Sequence, residues 1–423
     1  MTQLLRKDVA SLRQPRFSAG VVALWLVAAV FVAGHAYLNI FSLRSYSFTD
    51  FHVYHEALGR AARGETVYDL TSPMPFLYPP FFLIVLWPMG WLSEPTAMTV
   101  WLHLQNAFLV LALAALIATF RPIRSSLVAW AIILSTGFSP VMLNNLYGQA
   151  NLLYLAILSV FILAYSQASG TAILPLKRDR LATYPTERGH GQDAHATIWE
   201  IVAALALSAA INIRILPVAL LAMAIIQRRY RMAIWTAGFV MVEAMAAGLL
   251  VGFSTEWNYF ASHILHLQGL ENMREISLLA LFQRMIPSPQ IATLLFTAVL
   301  AVALASFFIL VWRPMRDLAP SLPLHLACVT ASMALFSPLL EYHHYTLLLA
   351  PYVLVLGDLA QRNRLVLTRA LPVFLSWAIV SGASQLSHYQ FGAIGFAALA
   401  GAALIWAYTV WLIVEGKPSE SRS

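Results

Sequence analysis

Cysteine and charge are both scarce in this sequence. The 423 residues include one cysteine, Cys328, so a disulfide framework and a cysteine-based metal site are excluded. Charged residues make up 11% of the chain, hydrophobic residues 60%, and the mean hydropathy is +0.72. Soluble domains carry about 25% charged residues. Because apolar runs long enough to cross about 30 Å of hydrocarbon recur along the chain, the sequence predicts an all-α, polytopic integral membrane protein.

Internal repeats and soluble domains are not evident either, so residues 1–423 are predicted to form a single transmembrane domain. The first apolar run is long, which favours a retained span over a cleaved signal peptide. The run 76–92 contains three prolines and is predicted to be a re-entrant segment or a short helix. Twelve crossings are predicted at 18–41, 96–119, 125–145, 151–168, 198–213, 215–227, 232–252, 290–312, 322–340, 345–360, 366–384 and 391–414.

Basic residues are distributed unevenly over the loops that these spans define. If 76–92 is re-entrant, all but six of the 26 Lys and Arg fall on one side of the membrane. Cytoplasmic loops carry such an excess, so both termini and the linker loop 169–197 are predicted to be cytoplasmic. The loops 42–75 and 253–289 are then extracytoplasmic. The pI of about 9.6 therefore reflects topology, and no nucleic-acid partner is expected. The six exceptions are Arg44, Arg60, Arg63, Arg214, Arg274 and Arg284.

Polar side chains collect on the predicted outer face. Asp50 lies in FTDFHVYHEALGRAARGETVYDL, between two apolar segments, where charge marks a headgroup anchor or a functional site. In one interpretation Thr49 or Asp50 caps a helix over 51–63. In the other, Asp50 is a general base that takes a proton from a sugar hydroxyl. A carboxylate fixed at a helix start is compatible with both. We expect substrate contacts from Tyr54, His55, Glu56, Tyr78, Gln149, Asn151 and Glu341.

Two adjacent histidines, His343 and His344, follow Glu341 near a span end. A single histidine there is more often an interfacial residue than a ligand. Neighbouring residues point to different helix faces, so a metal site built from this pair is not expected. No metal or other cofactor is predicted. A histidine that faces a phosphate, as a cation or as a hydrogen-bond donor, fits the pattern better.

Arg214 lies between two short apolar runs and is followed by Pro217. An arginine at that depth is costly unless it has a partner or faces water. Two half-length helices that meet at Arg214 would hold its guanidinium in an outward-open cavity, where it suits phosphate recognition. The alternative is a snorkelling arginine at the membrane interface. Gln149 in LYGQANLL is a weaker signal, because Gly148 can form a tight turn that Gln149 merely completes.

The order of several motifs resembles glycosyltransferase family 87 over about residues 45–360. The motifs are FTDFHVYHEA, GETVYDL, FLYPPFFLIVLWPMGWL, NLYGQANLLYLAILSVFILA, INIRILPVALLAMAIIQRRYR and FSPLLEYHHYTLLLAP. The resemblance implies a GT-C-type membrane enzyme that uses a polyprenyl-phosphate-linked sugar, with a mannosyltransferase favoured. It also implies an aspartate base in the first outer loop, which falls on Asp50.

Other positions of the family pattern are matched less closely. The family Lys-x-x-Pro falls on Arg214-Ile215-Leu216-Pro217, which keeps the charge and changes its geometry. The segment with Ser-Pro and two histidines falls on Ser337, Pro338, His343 and His344. The Asn, Ser and Arg pattern of an outer loop is matched only loosely, by Asn272, Ser277 and Arg284.

The resemblance, taken together with these residues, implies a metal-independent, inverting sugar transfer on the extracytoplasmic face of a bacterial cytoplasmic membrane. Asp50 and His344 are the expected catalytic residues, and Arg214 and His343 are expected to bind the donor phosphate. The expected partners are a polyprenyl-phosphate-linked sugar, a glycolipid or glycan acceptor, and the bilayer. Two other classes stay open: a transporter or flippase of lipid-linked sugars, and a non-catalytic partner in envelope assembly.

Overall fold

A computed structural model describes residues 19–45, 48–69, 72, 74–169, 190–263, 276–316, 322–338, 340–389 and 396–415. This part of the chain folds into α-helices and short helical turns, without β-strands. The predicted all-α membrane fold is confirmed. The helices are α1 (Ala19–Ser45), α2 (Thr49–Ala62), α3 (Phe81–Leu86), α4 (Glu94–Ala118), α5 (Ser125–Thr136), α6 (Ser139–Tyr147), α7 (Asn151–Ala168), α8 (His190–Ile213), α9 (Val218–Ile226), α10 (Tyr230–Val251), α11 (Phe253–Asn258), α12 (Leu278–Met285), α13 (Pro289–Arg316), α14 (Leu322–Leu335), α15 (Leu349–Gln361), α16 (Leu367–Tyr389) and α17 (Ala397–Glu415).

Seven helices in the described part of the chain are long and apolar enough to cross a membrane. They contain Ala19–Ile40, Glu94–Ala118, Asn151–Ala168, Ala196–Ile213, Tyr230–Val251, Leu367–Leu386 and Ala397–Glu415. The count becomes eight if α5 and α6, which meet at a bend of 51°, form one span. The chain is thus a multi-pass membrane protein, but the predicted number of twelve crossings is not confirmed.

Several predicted crossings are shorter or more broken than the sequence suggested. The segment 215–227 contains only the 9-residue α9, which extends about 14 Å and cannot cross about 30 Å of hydrocarbon. The segment 322–340 ends as a helix at Leu335, and a 3₁₀ helix, Tyr342–Leu348, precedes the 13-residue α15. The segment 125–145 breaks at Gly137 because Pro140, near the start of α6, lacks the N–H that a continuous helix requires.

Two other boundaries differ from the prediction. The first outer loop, 42–75, contains the whole of α2. Helix α8 begins at His190, within the predicted linker 169–197, because polar residues can extend a helix beyond its apolar section. The remainder of that linker, 170–189, lies outside the described residues. The segment 76–92 forms α3 and a 3₁₀ helix, Trp87–Trp91, consistent with a short helix.

Helices α7 and α15 form the centre of the core. Helix α7 packs against α4 and α8, and the side chains of α15 are nearly all buried. Within the most apolar window of each helix, 72% of residues are buried in α7, but only 22% in α10 and 6% in α1. The outward residues of α1 and α10 are apolar, as Val30 and Leu249 illustrate. Such surfaces are compatible with lipid and not with water, so α1 and α10 lie at the periphery.

The two ends of the helical bundle differ in charge. At the first end, His52 of α2 contacts Glu94 at the start of α4, with 2.6 Å between Nδ1 and Oε1. Helix α4 runs from there to a basic end, where Arg124 donates a 2.7 Å hydrogen bond to Asn363. Arg229 lies 3.5 Å from Glu200 at the same basic end. The predicted site residues described next lie toward the α2 end.

Candidate functional site

Asp50 lies in the first turn of α2, and the helix start differs from the predicted cap. Phe48 is the N-cap residue, in the left-handed conformation with φ 41° and ψ 50°, and no side chain caps the helix. Helix α2 begins at Thr49, so neither Thr49 nor Asp50 is the N-cap. Asp50 still lies near the positive end of the helix dipole, which stabilises its ionised form. The capping interpretation therefore does not explain Asp50.

One turn further along α2, Tyr54 belongs to a buried hydrogen-bonded cluster. Its hydroxyl donates to Oε1 of Gln149 at 2.9 Å, and the Tyr78 hydroxyl donates to the same oxygen at 3.1 Å. The two hydroxyl oxygens lie 3.2 Å apart. Burial raises the pKa of Tyr54 well above its usual range, and Tyr78 and the Asp50 carboxylate raise it further. Tyr54 thus remains a hydrogen-bond donor at neutral pH. The cluster joins three of the predicted substrate residues, Tyr54, Tyr78 and Gln149.

The turn at Gly148 places Gln149 in this cluster. Gly148 ends α6 with φ 71°, and a Cβ atom there would lie 2.8 Å from Cβ of Phe51. Only glycine combines this left-handed backbone with so close an approach of α2. The Gly148 carbonyl also accepts a 2.7 Å hydrogen bond from Nε1 of Trp101. The tight turn expected here is present, and the amide of Gln149 does more than complete it, because it joins Tyr54 to Tyr78.

Arg214 extends the cluster with a positive charge. Its Nη2 donates to the Tyr78 hydroxyl at 3.0 Å, and its guanidinium carbon lies 5.4 Å from the ring centre of Tyr78 and 5.7 Å from that of Tyr154. These are cation–π distances. Arg214 follows the last residue of α8 and precedes the short α9. Two half-length helices were predicted to meet here, but only α9 is short, because α8 has 24 residues and is long enough to cross the membrane. Within the described ranges Arg214 forms no ion pair with a carboxylate.

His344 is held by a reciprocal cap with Glu341. The backbone N–H of Glu341 donates to Nδ1 of His344 at 2.9 Å, while the Glu341 side chain accepts from the backbone N–H of His344. Because Nδ1 acts as an acceptor, the neutral ring carries its proton on Nε2. Burial lowers the pKa of His344 well below its usual range, and the charges of Arg214 and His343 lower it further. Of the two predicted roles, the neutral donor is therefore favoured over the cation.

His343 occupies a different position from His344. It is buried, its ring centre lies 6.1 Å from that of Tyr147, and its Nδ1 lies 3.9 Å from Oε2 of Glu341. The two imidazole rings meet edge to face with 4.4 Å between their centres. The His343 side chain thus extends from the 3₁₀ helix toward Tyr147 of α6, and its ring packs against that of His344.

Electrostatic coupling links these side chains across large sequence distances. The charge of Arg214 lowers the pKa of both Tyr54 and His344, and the carboxylate of Asp50 raises that of Tyr54. Such effects require proximity in a poorly screened environment. Asp50 and Arg214 thus both act on Tyr54, and Arg214 also acts on His344. We call these four side chains the arginine site.

Three predicted substrate residues do not join the arginine site. Asn151 is fully buried, and both its backbone N–H and its side-chain amide donate to Oδ1 of Asn144, at 3.1 and 3.2 Å. His55 and Glu56 project from another face of α2, where Nε2 of His55 contacts the carbonyl of Leu92 at 3.2 Å and Glu56 pairs with Arg60 at 2.7 Å. They line a separate cavity.

The loosely matched outer-loop pattern is only partly described. The N–H of Ile276, next to Ser277, donates a 2.8 Å hydrogen bond to the carbonyl of Leu340. Ser277 caps α12 by accepting a 3.1 Å hydrogen bond from the N–H of Ala280. Arg284 lies 5.0 Å above the ring centre of Phe396. Ser337 is buried near the His343 segment. Asn272, together with His266 and Arg274 of the same loop, lies outside the described residues.

Sequence reasoning missed three residues: Tyr154 and Tyr259, on which the charge of Arg214 acts, and Glu256, whose charge acts on Tyr259. Tyr154 of α7 stacks against Arg214. Tyr259 donates to the carbonyl of Leu77 at 3.4 Å, and the Arg214 charge lowers its pKa against the larger raising effect of burial. Burial raises the pKa of Glu256 to about 7. No motif or spacing in the sequence distinguishes these three residues from the other aromatic and acidic residues near span ends.

Comparison with known proteins bears on the family and the fold. No curated protein sequence matches the chain. Two solved structures of ArnT from Cupriavidus metallidurans resemble it, one bound to undecaprenyl phosphate and one in the apo state. The bound form is 14% identical with a TM-score of 0.47, and the apo form is 13% identical with a TM-score of 0.43. Each alignment covers 93% of this chain and 77% of the other. The family model for glycosyltransferase family 87 matches residues 76–338, well over half of the sequence, and the chain therefore belongs to glycosyltransferase family 87.

Proposed function

We propose that this glycosyltransferase moves a sugar from a polyprenyl-phosphate donor to an acceptor hydroxyl, with Arg214 binding the donor phosphate. The observation that carries the proposal is the environment of Arg214. Its guanidinium contacts tyrosine side chains and, among the described residues, no carboxylate. A partly buried cation without a counter-ion is costly, and an anionic ligand removes that cost. A phosphate matches the planar donor geometry of arginine.

His344 supplies the second group for the leaving phosphate. Its Nδ1 accepts a backbone hydrogen bond from Glu341, so its Nε2–H is the donor that can face a ligand. A neutral donor beside the fixed charge of Arg214 stabilises negative charge that develops on the departing oxygen. His343 packs against the His344 ring and holds its orientation.

Asp50 is the proposed base. It takes the proton of the acceptor hydroxyl, and the acceptor oxygen forms a bond to the anomeric carbon from the face opposite the phosphate. The bond between the anomeric carbon and the phosphate oxygen breaks, and its electron pair leaves with polyprenyl phosphate, which Arg214 and His344 bind. One displacement inverts the anomeric configuration. Tyr54 stays protonated beside Asp50 and is a donor for substrate, not a competing base.

The positive-inside rule orients this reaction. Arg124 and Arg229 mark the basic end of the bundle, and the arginine site lies toward the other end. The proposed reaction therefore occurs on the extracytoplasmic face of a bacterial cytoplasmic membrane, with the lipid tail of the donor in the bilayer. Mannose is the favoured sugar because of the family resemblance, and a glycolipid or glycan of the envelope is the proposed acceptor.

Donor binding tests the proposal directly. Purified protein in lipid nanodiscs is titrated with polyprenyl phosphate, and dissociation constants are compared for Arg214→Ala, His344→Ala and the double variant. Both single variants should bind more weakly, and the double loss should depart from additivity by about 0.5–3 kcal/mol, because the two side chains share one partner. Arg214→Lys should recover part of the affinity. Arg124→Ala, an arginine at the basic end, is the matched control.

A transporter makes a different prediction. Transfer of radiolabel from polyprenyl-phospho-mannose to an envelope lipid extract should proceed in detergent, where no gradient and no closed compartment exist. Unchanged polyprenyl-phosphate affinity in both single variants, or label movement that requires sealed vesicles, would contradict the proposed function.

A further inference from the structure

We propose that the cavity between α2 and the 3₁₀ helix Trp87–Trp91 binds a neutral sugar unit of the acceptor glycan. The cavity has a volume of about 310 Å³, which is at the small end of the range for ligand sites, about 300–1,000 Å³. The inference rests on the proposed function in one respect, the identity of the ligand as an acceptor. The cavity itself is distinct from the arginine site.

The lining combines two indole rings with polar groups. Trp87 and Trp91 lie on one wall, and Trp91 is 77% exposed. His55 and Glu56 lie on the other wall. An indole presents a flat apolar face, and the C–H face of a sugar ring packs on such a surface while its hydroxyls reach polar groups at the edges. Two tryptophans beside a histidine and a carboxylate thus match a carbohydrate.

The polar groups of this cavity are positioned by their own partners. Nε2 of His55 donates to the Leu92 carbonyl at 3.2 Å, so Nδ1 of the neutral ring is an acceptor. Oε1 of Glu56 accepts two hydrogen bonds from Arg60, at 3.1 and 2.7 Å. Arg63 is paired with Glu65 through two 2.7 Å contacts.

Charge separates this cavity from the arginine site. At the cavity, Glu56 is neutralised by Arg60, and Arg63 is neutralised by Glu65. The lining therefore offers hydrogen-bonding groups without an uncompensated positive charge. Hydroxyl groups suit such a lining better than phosphate, which favours unpaired cations. Arg214, in contrast, contacts phenol groups.

The position of the cavity on α2 favours acceptor over donor. Asp50 lies in the first turn, and Gly59 of the cavity lies nine positions further along the same helix, about 14 Å at 1.5 Å per residue. Tyr54 faces the arginine site, and the next residue, His55, faces the cavity. An acceptor whose terminal hydroxyl reaches Asp50 would place a preceding sugar unit along α2, whereas the donor phosphate is bound at Arg214.

Gly90 provides a variant that fills the cavity without removing a polar group. A Cβ atom at Gly90 would lie 3.7 Å from Cβ of Leu58, which is ordinary van der Waals contact. A Cβ atom is thus accommodated there, and the two methyl groups of Gly90→Val add volume to the cavity wall; a melting temperature close to that of the wild type is required before its binding is interpreted. Trp91→Ala removes the indole face instead. Trp411→Ala is the matched control, because Trp411 is also exposed and lies beside Arg369 at the basic end.

Binding is measured by saturation-transfer difference NMR on the full-length protein in nanodiscs. The probes are methyl α-mannopyranoside, methyl β-glucopyranoside and mannotriose, with inorganic phosphate as a competitor. We expect a signal from at least one glycoside in the wild type and in Trp411→Ala. The dissociation constant should be about tenfold weaker in Trp91→Ala, as loss of an aromatic stacking contact implies, and weaker as well in Gly90→Val, because the added side chain occupies space that the sugar needs. Phosphate should not compete.

The outcomes separate the two proposals. If both proposals hold, Asp50→Asn should lose most transfer activity and keep the glycoside signal. If the wild-type protein shows a glycoside signal that depends on Trp91 but transfers no sugar, the proposed function is contradicted and the sugar site is not. Equal glycoside signals in wild type and both cavity variants, no signal from any glycoside, or displacement by phosphate would overturn the sugar site. A weaker affinity for polyprenyl phosphate in Gly90→Val would reassign the cavity to the donor.

Discussion

At the residue scale, the carboxylate of Asp50 is the group that the proposed reaction needs most. We expect Asp50→Asn to fold and to bind polyprenyl phosphate normally, because the amide keeps the size of the side chain. Transfer should fall by roughly 10²–10⁴, the usual contribution of a general base. Single-turnover transfer of radiolabelled sugar measures the effect.

The control for this prediction is another acidic residue in a first helical turn. Glu94 lies in the first turn of α4, as Asp50 lies in the first turn of α2, and it contacts His52. Glu94→Gln should transfer sugar within a few-fold of wild type. Near-normal turnover in Asp50→Asn would remove Asp50 from the reaction.

The protonation of His344 leads to a prediction about pH. Burial lowers its folded-state pKa below the usual value of 6.5. Below pH 6.5 the unfolded chain binds this proton and the folded protein does not, so this group destabilises the fold as the pH falls, by at most about 1.4 kcal/mol per pH unit. Above pH 6.5 the effect vanishes. Thermal melts at pH 7.5 and 5.5 should therefore differ more for wild type than for His344→Gln.

The raised pKa of Glu256 acts in the opposite direction, since a carboxylate with a pKa of about 7 destabilises the fold as the pH rises from 4.5 to 7. Glu256 is present in both the wild type and His344→Gln, so its effect on stability cancels when the two proteins are compared. An equal acid shift in the two melting temperatures would mean that His344 is protonated in the folded state.

The sequence predicted some site residues and not others for physical reasons. Arg214 was recognisable because a charge inside an apolar run is rare and costly. Tyr154 and Tyr259 were not, because aromatic residues are common throughout membrane helices. His55 and Glu56 were grouped with Tyr54 by sequence proximity, yet successive residues of a helix point about 100° apart, which sends them to a different cavity.

At the element scale, the contact between α2 and the Gly148 turn sets the position of Asp50. Gly148→Ala would adopt a left-handed backbone at a cost of about 1–2 kcal/mol. It would also force Cβ atoms to 2.8 Å at Phe51, and overpacking adds about 1–3 kcal/mol. We expect a lower melting temperature together with reduced transfer, because α2 must shift.

Gly64 separates the two contributions. Its φ is 68°, and nothing lies within 4 Å of a Cβ built there. Gly64→Ala therefore carries the backbone strain without the collision and should retain transfer activity. Equal effects of the two variants on melting and transfer would show that the approach of α2 to Gly148 does not position the site.

Helix bounds were predicted well where a span is long and less well where it is short. The 18-residue α7 matches the predicted 151–168. The segments 215–227 and 345–360 were counted as crossings because a short helix buried in protein is as apolar as one buried in lipid. The short lengths of α9 and α15, and not their compositions, distinguish these two segments from membrane-crossing helices.

At the scale of the whole molecule, orientation in the membrane remains a prediction from charge distribution. Basic side chains gather at the end of α4 opposite to α2, which assigns that end to the cytoplasm. Cysteine labelling tests this, because the native Cys328 is buried and adds no background. Ser93 and Thr368 are exposed residues near the two ends, at the starts of α4 and α16. Ser93→Cys should react with an impermeant maleimide in intact cells, whereas Thr368→Cys should react only after permeabilisation. The reverse pattern would place Asp50 and Arg214 on the cytoplasmic side, where an extracytoplasmic acceptor cannot reach them.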